Sequence, residues 1–361
     1  MTSRFAALAE ALGTRAPEDL RYVRAPGRVN LIGDHTDYND GFVLPLAIDR
    51  DCLIAFAPRE DTRVQVRSLD VPDPEWERFV DGAVAALADR GRAPTGMDAA
   101  LSSTVPVGSG LSSSSALSVA LTLALAATGG LELDARDMAR AALDAEVRAT
   151  GVPGGLMDQL TALFGRRGHA LLIDCRSLAV EPMPLPEAYS VLAVHSGLPR
   201  TLAGSAYAER RRACEEIAAR LGVPALRDAT LEQIADEPLA RHVVTENQRV
   251  LEFADALRAG AEDKLGPLLL ASHASLRDDY EVSTPDLDLA VELLVEHGAI
   301  GARLTGAGFG GCVVALVEQR HAADVAGKTV TRYRADTGLD AAAFVVRAVD
   351  GAGPVAPRPT A

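Results

Sequence analysis

The sequence predicts an α/β (α+β) protein, and two observations carry that expectation. In the first half, short segments that alternate like sheet strands interleave with longer ones of helical spacing; the second half is mainly helical. At 361 residues the chain can bury a large core, in two domains or one large one.

Taken in order, residues 4–12 have helical spacing, and Arg21 to Arg24 opens an extended segment broken at Pro26-Gly27. Cys52 to Ala57 and Arg63 to Ser68 alternate like strands, and Trp76 to Arg90 is a helix by periodicity. Ala99 to Val105 reads as a strand, Leu117 to Ala127 as an Ala/Leu-rich helix, and Asp134 to Thr150 as a helix capped by Asp134. Pro153, Gly154 and Gly155 form a turn that feeds another helix and leaves Asp158 near its positive end, where capping alone would also explain a carboxylate. His169 to Asp174 is a short apolar strand, and the proline-rich EPMPLPEA at 181–188 reads as a crossing between domains. Helices are expected over 203–221, 241–259, 261–278 and 285–296, followed by an apolar strand at Cys312 to Val317. Arg210, Arg211 and Arg212, among Glu209, Glu215 and Glu216, read as a solvated, salt-bridged helix face, and the tail from Gly351 as frayed.

Composition narrows the function classes. A net charge of -14 argues against a nucleic-acid partner, although a few N–H groups and one metal ion can still hold a nucleotide locally. The N-terminus carries Glu10 within too short an apolar run for a signal peptide, and no segment approaches the 18 or so uninterrupted apolar residues of a membrane span. Cys52, Cys175, Cys214 and Cys312 lie far apart with no CxxC pair, so they read as reduced thiols of a cytoplasmic protein. The histidines have no zinc-ligand spacing.

Three stretches carry chemistry. In VPVGSGLSSSSA, Val105 to Ala116, two glycines and four serines sit between a strand and a helix start, a turn suited to phosphate or simply to capping the helix. It is not a Walker A loop, having no lysine, nor a dinucleotide fingerprint, since Ser113 stands where the third glycine belongs. In the stretch Ala25 to Ile48, Arg28, Asn30, Asp34, His35, Asp37, Tyr38 and Asn39 crowd near Gly27, Gly33 and Gly41, which suggests a site; a solvated loop is the alternative. In LTGAGFGGC, Leu304 to Cys312, the GxGxxG spacing leads into a strand rather than a helix, with no HRD or DFG downstream, so a glycine-lined wall beside a ligand is expected.

Together, PGRVNLIGDHTDYNDG, VPVGSGLSSSSA and LTGAGFGGC resemble the three motifs of the GHMP small-molecule kinases, the first in its galactokinase form, and the resemblance runs from about Ala25 to Val317. GVPGGLMDQ, SAYAERRRACEE and SLRDDYEVS resemble galactokinases too. The resemblance implies a two-domain GHMP kinase fold, residues 1–180 and 181–361, with the active site in the cleft between them. It implies ATP and Mg2+ as cofactors, a sugar as the other small-molecule partner, a monomer, and transfer of the γ-phosphate to the anomeric hydroxyl of galactose. Carried over, Asp158 would be the catalytic carboxylate and Arg28 its charged neighbour, while Asp34, His35, Asp37, Gly155 and Tyr207 would line the sugar pocket. Gly108, Ser109, Gly110, Leu111, Ser112, Ser113 and Ser114 would hold ATP phosphates, Trp76 would lie near adenine, and Ser114 and Glu146 would be the metal-side residues. Two positions depart from the family pattern: Asp34 stands in place of a glutamate in GEHTDY, and Gly154 in place of a residue that is often cysteine. The shorter Asp34 implies a lost or water-mediated contact at the sugar C6. The rival expectations are an anomeric kinase for another galactose-like sugar, a non-catalytic sugar sensor, and a kinase for mevalonate or homoserine.

Overall fold

The computed structural model describes residues 2–13, 17–70, 74–198 and 203–357. Its elements begin with α1 (Thr2–Ala11), β1 (Arg21–Asn30), β2 (Phe42–Val43), β3 (Pro45–Arg59) and β4 (Val64–Ser68). Next come α2 (Glu77–Ala88), β5 (Gly96–Ser103), α3 (Ser113–Gly129), α4 (Ala135–Thr150), α5 (Met157–Phe164), β6 (His169–Asp174), β7 (Ala179–Pro184) and β8 (Tyr189–His195). The rest comprises α6 (Ala203–Leu221), α7 (Pro238–Ala259), α8 (Leu265–Asp278), α9 (Pro285–Glu296), β9 (Ala299–Thr305), β10 (Cys312–Glu318), α10 (Ala322–Thr337), β11 (Ala342–Val346) and β12 (Gly353–Val355).

The strands form a five-stranded sheet ordered β12-β1-β3-β5-β4, a four-stranded sheet ordered β11-β8-β10-β9, and a three-stranded sheet ordered β2-β6-β7. All pairings are antiparallel except β4 with β5. Helix α3 is apolar nearly all round, and Val119, Ala120, Leu121, Ala124 and Leu125 are fully buried in the first core, as expected of a helix with no polar face. Gly82 lets α2 approach α4, because a Cβ there would overlap the Ala145 carbonyl. A second core gathers β8, β9 and β10 under α9 and α10, through Leu192, Leu304, Val313, Leu294 and Val325. No helix among the described residues is long and apolar enough to cross a membrane.

Several expectations need correction. Pro26-Gly27 does not break β1; the strand runs on to Asn30 through a register shift between Pro26 and Arg28, and a Cβ at Gly27 would meet the Leu111 carbonyl at 2.5 Å. The proline-rich stretch begins as β7, paired with β6, where Pro182 and Pro184 are tolerated because the strand is an edge. The helix expected over 261–278 opens as a 3-10 turn, Glu262–Lys264, and α8 proper begins at Leu265.

The tail is not frayed where it is described: β12 pairs with β1, Tyr22 opposite Val355, and the Val349 and Gly351 N–H groups donate to Ala47 and Gly165 at 3.0 and 2.8 Å. Residues 358–361 lie outside the described residues. Ending the chain at Ala352 should lower stability by about 2–4 kcal/mol, taking about 1 kcal/mol for each backbone hydrogen bond lost. Denaturant unfolding measures this, and an unchanged midpoint would return the tail to a frayed end.

Candidate active site

A cleft of about 630 Å3 opens where β1, the turn before α3, the start of α5, the first residues of α6 and the turn after β9 converge. The turn after β5 builds one wall. Gly108 and Gly110 have φ of +71° and +85°, and Ser112 is left-handed at +61°, a conformation that costs an L-residue of order 1 kcal/mol. The Ser112 side chain does not cap α3; its hydroxyl donates instead to Asp158 Oδ2 at 2.5 Å. Gly108, Gly110, Ser112, Ser113, Ser114 and Ser115 line the cleft at the positive end of α3, the setting that favours phosphate. Ser109 and Leu111 serve the turn itself. The Ser109 hydroxyl donates to the Pro106 carbonyl at 2.7 Å, and Leu111 is fully buried, its carbonyl accepting from the Arg28 N–H at 3.1 Å.

Arg28 and Asp158 meet at the centre. Arg28 Nε and Nη2 donate to Asp158 Oδ1 and Oδ2 at 2.7 and 2.9 Å, and Nη1 donates to the Gly110 carbonyl at 2.6 Å. Three elements are thereby tied together, with the bidentate geometry that only a guanidinium provides. Asp158 does lie in the first turn of α5, yet Arg28 and Ser112 are its partners, so helix capping does not account for it.

On the sugar-motif side, Asp34, His35 and Asp37 all line the cleft, with Tyr207 from α6 and Gly155 from the turn before α5. A Cβ at Gly155 would overlap the Asp37 carboxylate, which explains a glycine there. Burial, reinforced by the neighbouring Asp158 charge, pushes the Asp37 carboxyl up to about 7. His35 is buried with φ +65°, its Nδ1 2.8 Å from the Tyr38 hydroxyl, and burial holds its ring well below the usual histidine range, hence neutral. Asp34 is only 2 % exposed: its Oδ1 accepts from the Gly306 N–H at 2.9 Å, and its Oδ2 pairs with Arg303 Nη1 at 2.5 Å. The glycine wall expected after β9 is present, since Gly306 and Ala307 line the cleft and Gly306, Gly308, Gly310 and Gly311 all have positive φ.

Glu146 lies behind the serines. Its Oε2 accepts from Ser115 at 2.8 Å and from Gln159 Nε2 at 2.7 Å; burial raises its carboxyl above the usual range, and hydrogen bonding from Ser114 opposes that rise. Ser114 and Glu146 thus lie side by side at the cleft. Trp76 does not line the cleft: it packs, partly buried, against the first core, and the adjacent Glu75 faces the cleft instead. Ser115 closes the serine run already read as a phosphate turn, whereas Gln159, directly after Asp158, carries no signal of its own in the sequence. Arg211 is not merely part of a solvated face, because it donates to the Gly154 carbonyl at 3.1 Å and lies over the Tyr38 ring at 5.9 Å, while Arg212 does pair with Glu216 on the surface.

Comparison with known proteins agrees with this geometry. Residues 7–58 match the galactokinase galactose-binding signature, residues 78–166 the GHMP kinases N terminal domain, and residues 253–334 the GHMP kinases C terminal domain. A galactokinase from Roseiflexus sp. (strain RS-1) is 45% identical, over 92% of each chain. The crystal structure of Lactococcus lactis galactokinase complexed with galactose superposes with a TM-score of 0.90 at 32% identity, covering 98% of each chain. Mevalonate kinase from L. major, at a TM-score of 0.64 and 19% identity over 91% of this chain and 95% of its own, shares the fold alone. With its motifs converging on one cleft and its likeness extending over nearly its whole length, the chain belongs to the galactokinase family of GHMP kinases.

Proposed function

We propose that the chain transfers the γ-phosphate of ATP to the C1 hydroxyl of D-galactose, giving galactose 1-phosphate and ADP. The observation that carries this reading is the junction of Arg28, Asp158 and Ser112, which joins the phosphate turn directly to the sugar motif. Phosphoryl transfer through a loose transition state needs alignment and charge neutralisation more than covalent help. The α3 amides and the Ser113 and Ser114 side of the turn would hold the phosphates, Asp37 and His35 would fix the sugar, and Asp158 would receive or orient the C1 hydroxyl proton as its oxygen forms the bond to phosphorus. Arg28 keeps the Asp158 carboxylate in one orientation throughout.

The oxygen donors of Ser114 and Glu146 suit a hard cation. That fits Mg2+, which takes one or two protein oxygens and relies on substrate phosphates and water for the rest. Bound there, Mg2+ would neutralise charge on the transferring phosphate. Residues 1–180 would supply the phosphate turn, Asp158 and the sugar motif, and residues 181–361 Tyr207 and the glycine wall. No disulfide joins Cys52, Cys175, Cys214 and Cys312, and three of the four are buried, in keeping with the reducing cytoplasm as the place of work and with a monomer as the proposed state.

Asp158→Asn should lower kcat by about a hundredfold or more while the galactose KM moves little, because the lost charge matters most as the hydroxyl becomes nucleophilic. Steady-state ADP release measures this, and near wild-type turnover would remove Asp158 from the chemistry. Ser114→Ala and Glu146→Ala should each raise the magnesium concentration needed for half-maximal rate. Unaltered magnesium curves in both would take these residues off the metal side.

The raised Asp37 carboxyl sets a pH dependence. Its folded value near 7 lies above its ordinary 3.8, so the protonated form is favoured in the empty site and the stability linked to it falls as pH rises from about 4 to 7. Galactose binding needs the carboxylate as acceptor, so affinity should weaken as pH drops below about 7, approaching tenfold per pH unit. Calorimetric Kd between about pH 5.5 and 8 checks the slope. Asp37→Asn should flatten it, and a pH-independent wild-type Kd would contradict the assignment.

A further inference from the structure

The turn that carries the sugar motif belongs to the first half of the chain, yet most of what holds it comes from the second. Glu246 Oε1 accepts from the Gly33 N–H at 2.9 Å, and His242 Nε2 lies 3.1 Å from the Asp34 carbonyl. The Thr305 hydroxyl donates to the Asn30 carbonyl at 2.9 Å, and the Gly306 N–H to the Asp34 carboxylate. Arg303 stands at the middle of this grip. Its side chain is wholly buried, and Nη1 reaches Asp34 Oδ2 at 2.5 Å and the carbonyls of Leu31 and Asn30 at 3.2 and 3.4 Å, while Nη2 lies 4.0 Å from Glu246.

We propose that Arg303 is a positioning residue for sugar recognition, fixing the turn at 30–35 so that His35 and Asp37 present a single geometry to the substrate. This rests on the galactose reading above. Burying an arginine in an otherwise apolar strand rarely gains stability over a hydrophobic side chain of like volume, so stability alone is a poor account of its presence in β9. Its geometry supplies another account. One buried guanidinium nitrogen, Nη1, faces the Asp34 carboxylate and the main-chain carbonyls of Asn30 and Leu31 where β1 runs into the turn, so a single cation holds the turn at three points. Asp34 in turn fastens to Gly306, a cleft residue, so the sugar motif and the glycine wall share one anchor. The short Asp34 is therefore engaged on both oxygens by protein groups.

The test compares Arg303→Lys and Arg303→Met with Leu294→Ala, a core truncation in α9 far from the turn in sequence and outside the cleft. Two readouts are taken on the full chain: amide hydrogen exchange of the empty protein, and KM for galactose and for ATP. Exchange at residues 30–37 should rise in both Arg303 variants but not in Leu294→Ala. Arg303→Met, which removes the cation facing Asp34 and the two carbonyls, should raise the galactose KM about tenfold or more while the ATP KM stays within about twofold, a split that general destabilisation would not produce. Unchanged exchange at the turn overturns the proposal, as does a galactose KM that stays within about twofold or rises in step with the ATP KM. Absence of galactose turnover in the wild type would sink the substrate reading instead, and the exchange measurement would still decide the role of Arg303.

Discussion

The bidentate pair between Arg28 and Asp158 is the interaction on which the site depends. It fastens β1 to the start of α5, and through Gly110 it sets the height of the phosphate turn above both. Neither partner is replaceable by its nearest chemical relative. A lysine at 28 would reach only one acceptor at a time, and a neutral group at 158 would leave a buried guanidinium without its counter-charge. The positive φ of Ser112 is the local cost of the same arrangement, because that backbone turn aims the hydroxyl at Asp158 rather than at the helix end.

Charge in the cleft is balanced closely. Five acidic residues, Asp34, Asp37, Glu75, Glu146 and Asp158, line it, in a chain whose net charge is -14, and the substrate phosphates add more negative charge. Helix-terminal amides and Arg28 offset this, and the raised Asp37 carboxyl records how tight the balance is before any sugar arrives. The second half of the chain answers on the other side, where Arg303 and Arg249 neutralise Asp34 and Glu246. Burial pushes the Glu246 carboxyl up, but Arg249, His242 and Arg303 bring it down to about 2.

Much of the site was legible in the sequence because it is written in residue types that a fold otherwise avoids: glycines with positive φ, a run of serines at a helix start, acids between apolar flanks. Arg28, Asp158, Asp37, Gly155 and Ser114 came from such local signals, read with a family resemblance. What stayed hidden depends on distant pairing. The edge strand β7 is masked by its prolines, and β12 finds its partner β1 more than three hundred residues away. Arg303 resembles one polar interruption of an apolar strand until Asp34 is seen beside it, and Arg211 looks like its solvated neighbour Arg212 until α6 is set against the Gly154 turn. The periodic pattern of Trp76 to Arg90 located α2 but could not say which way Trp76 faces, since that is decided by the core it packs on.

The most direct test of the whole account is the position of the transferred phosphate. Purified protein with magnesium-ATP and galactose, followed by phosphorus NMR with proton coupling, should yield a new sugar phosphate whose phosphorus couples to the single anomeric proton. A phosphorus coupled to two C6 protons, or ATP turnover that releases only inorganic phosphate, would contradict an active site built to bring the C1 hydroxyl between Asp158 and the phosphate turn.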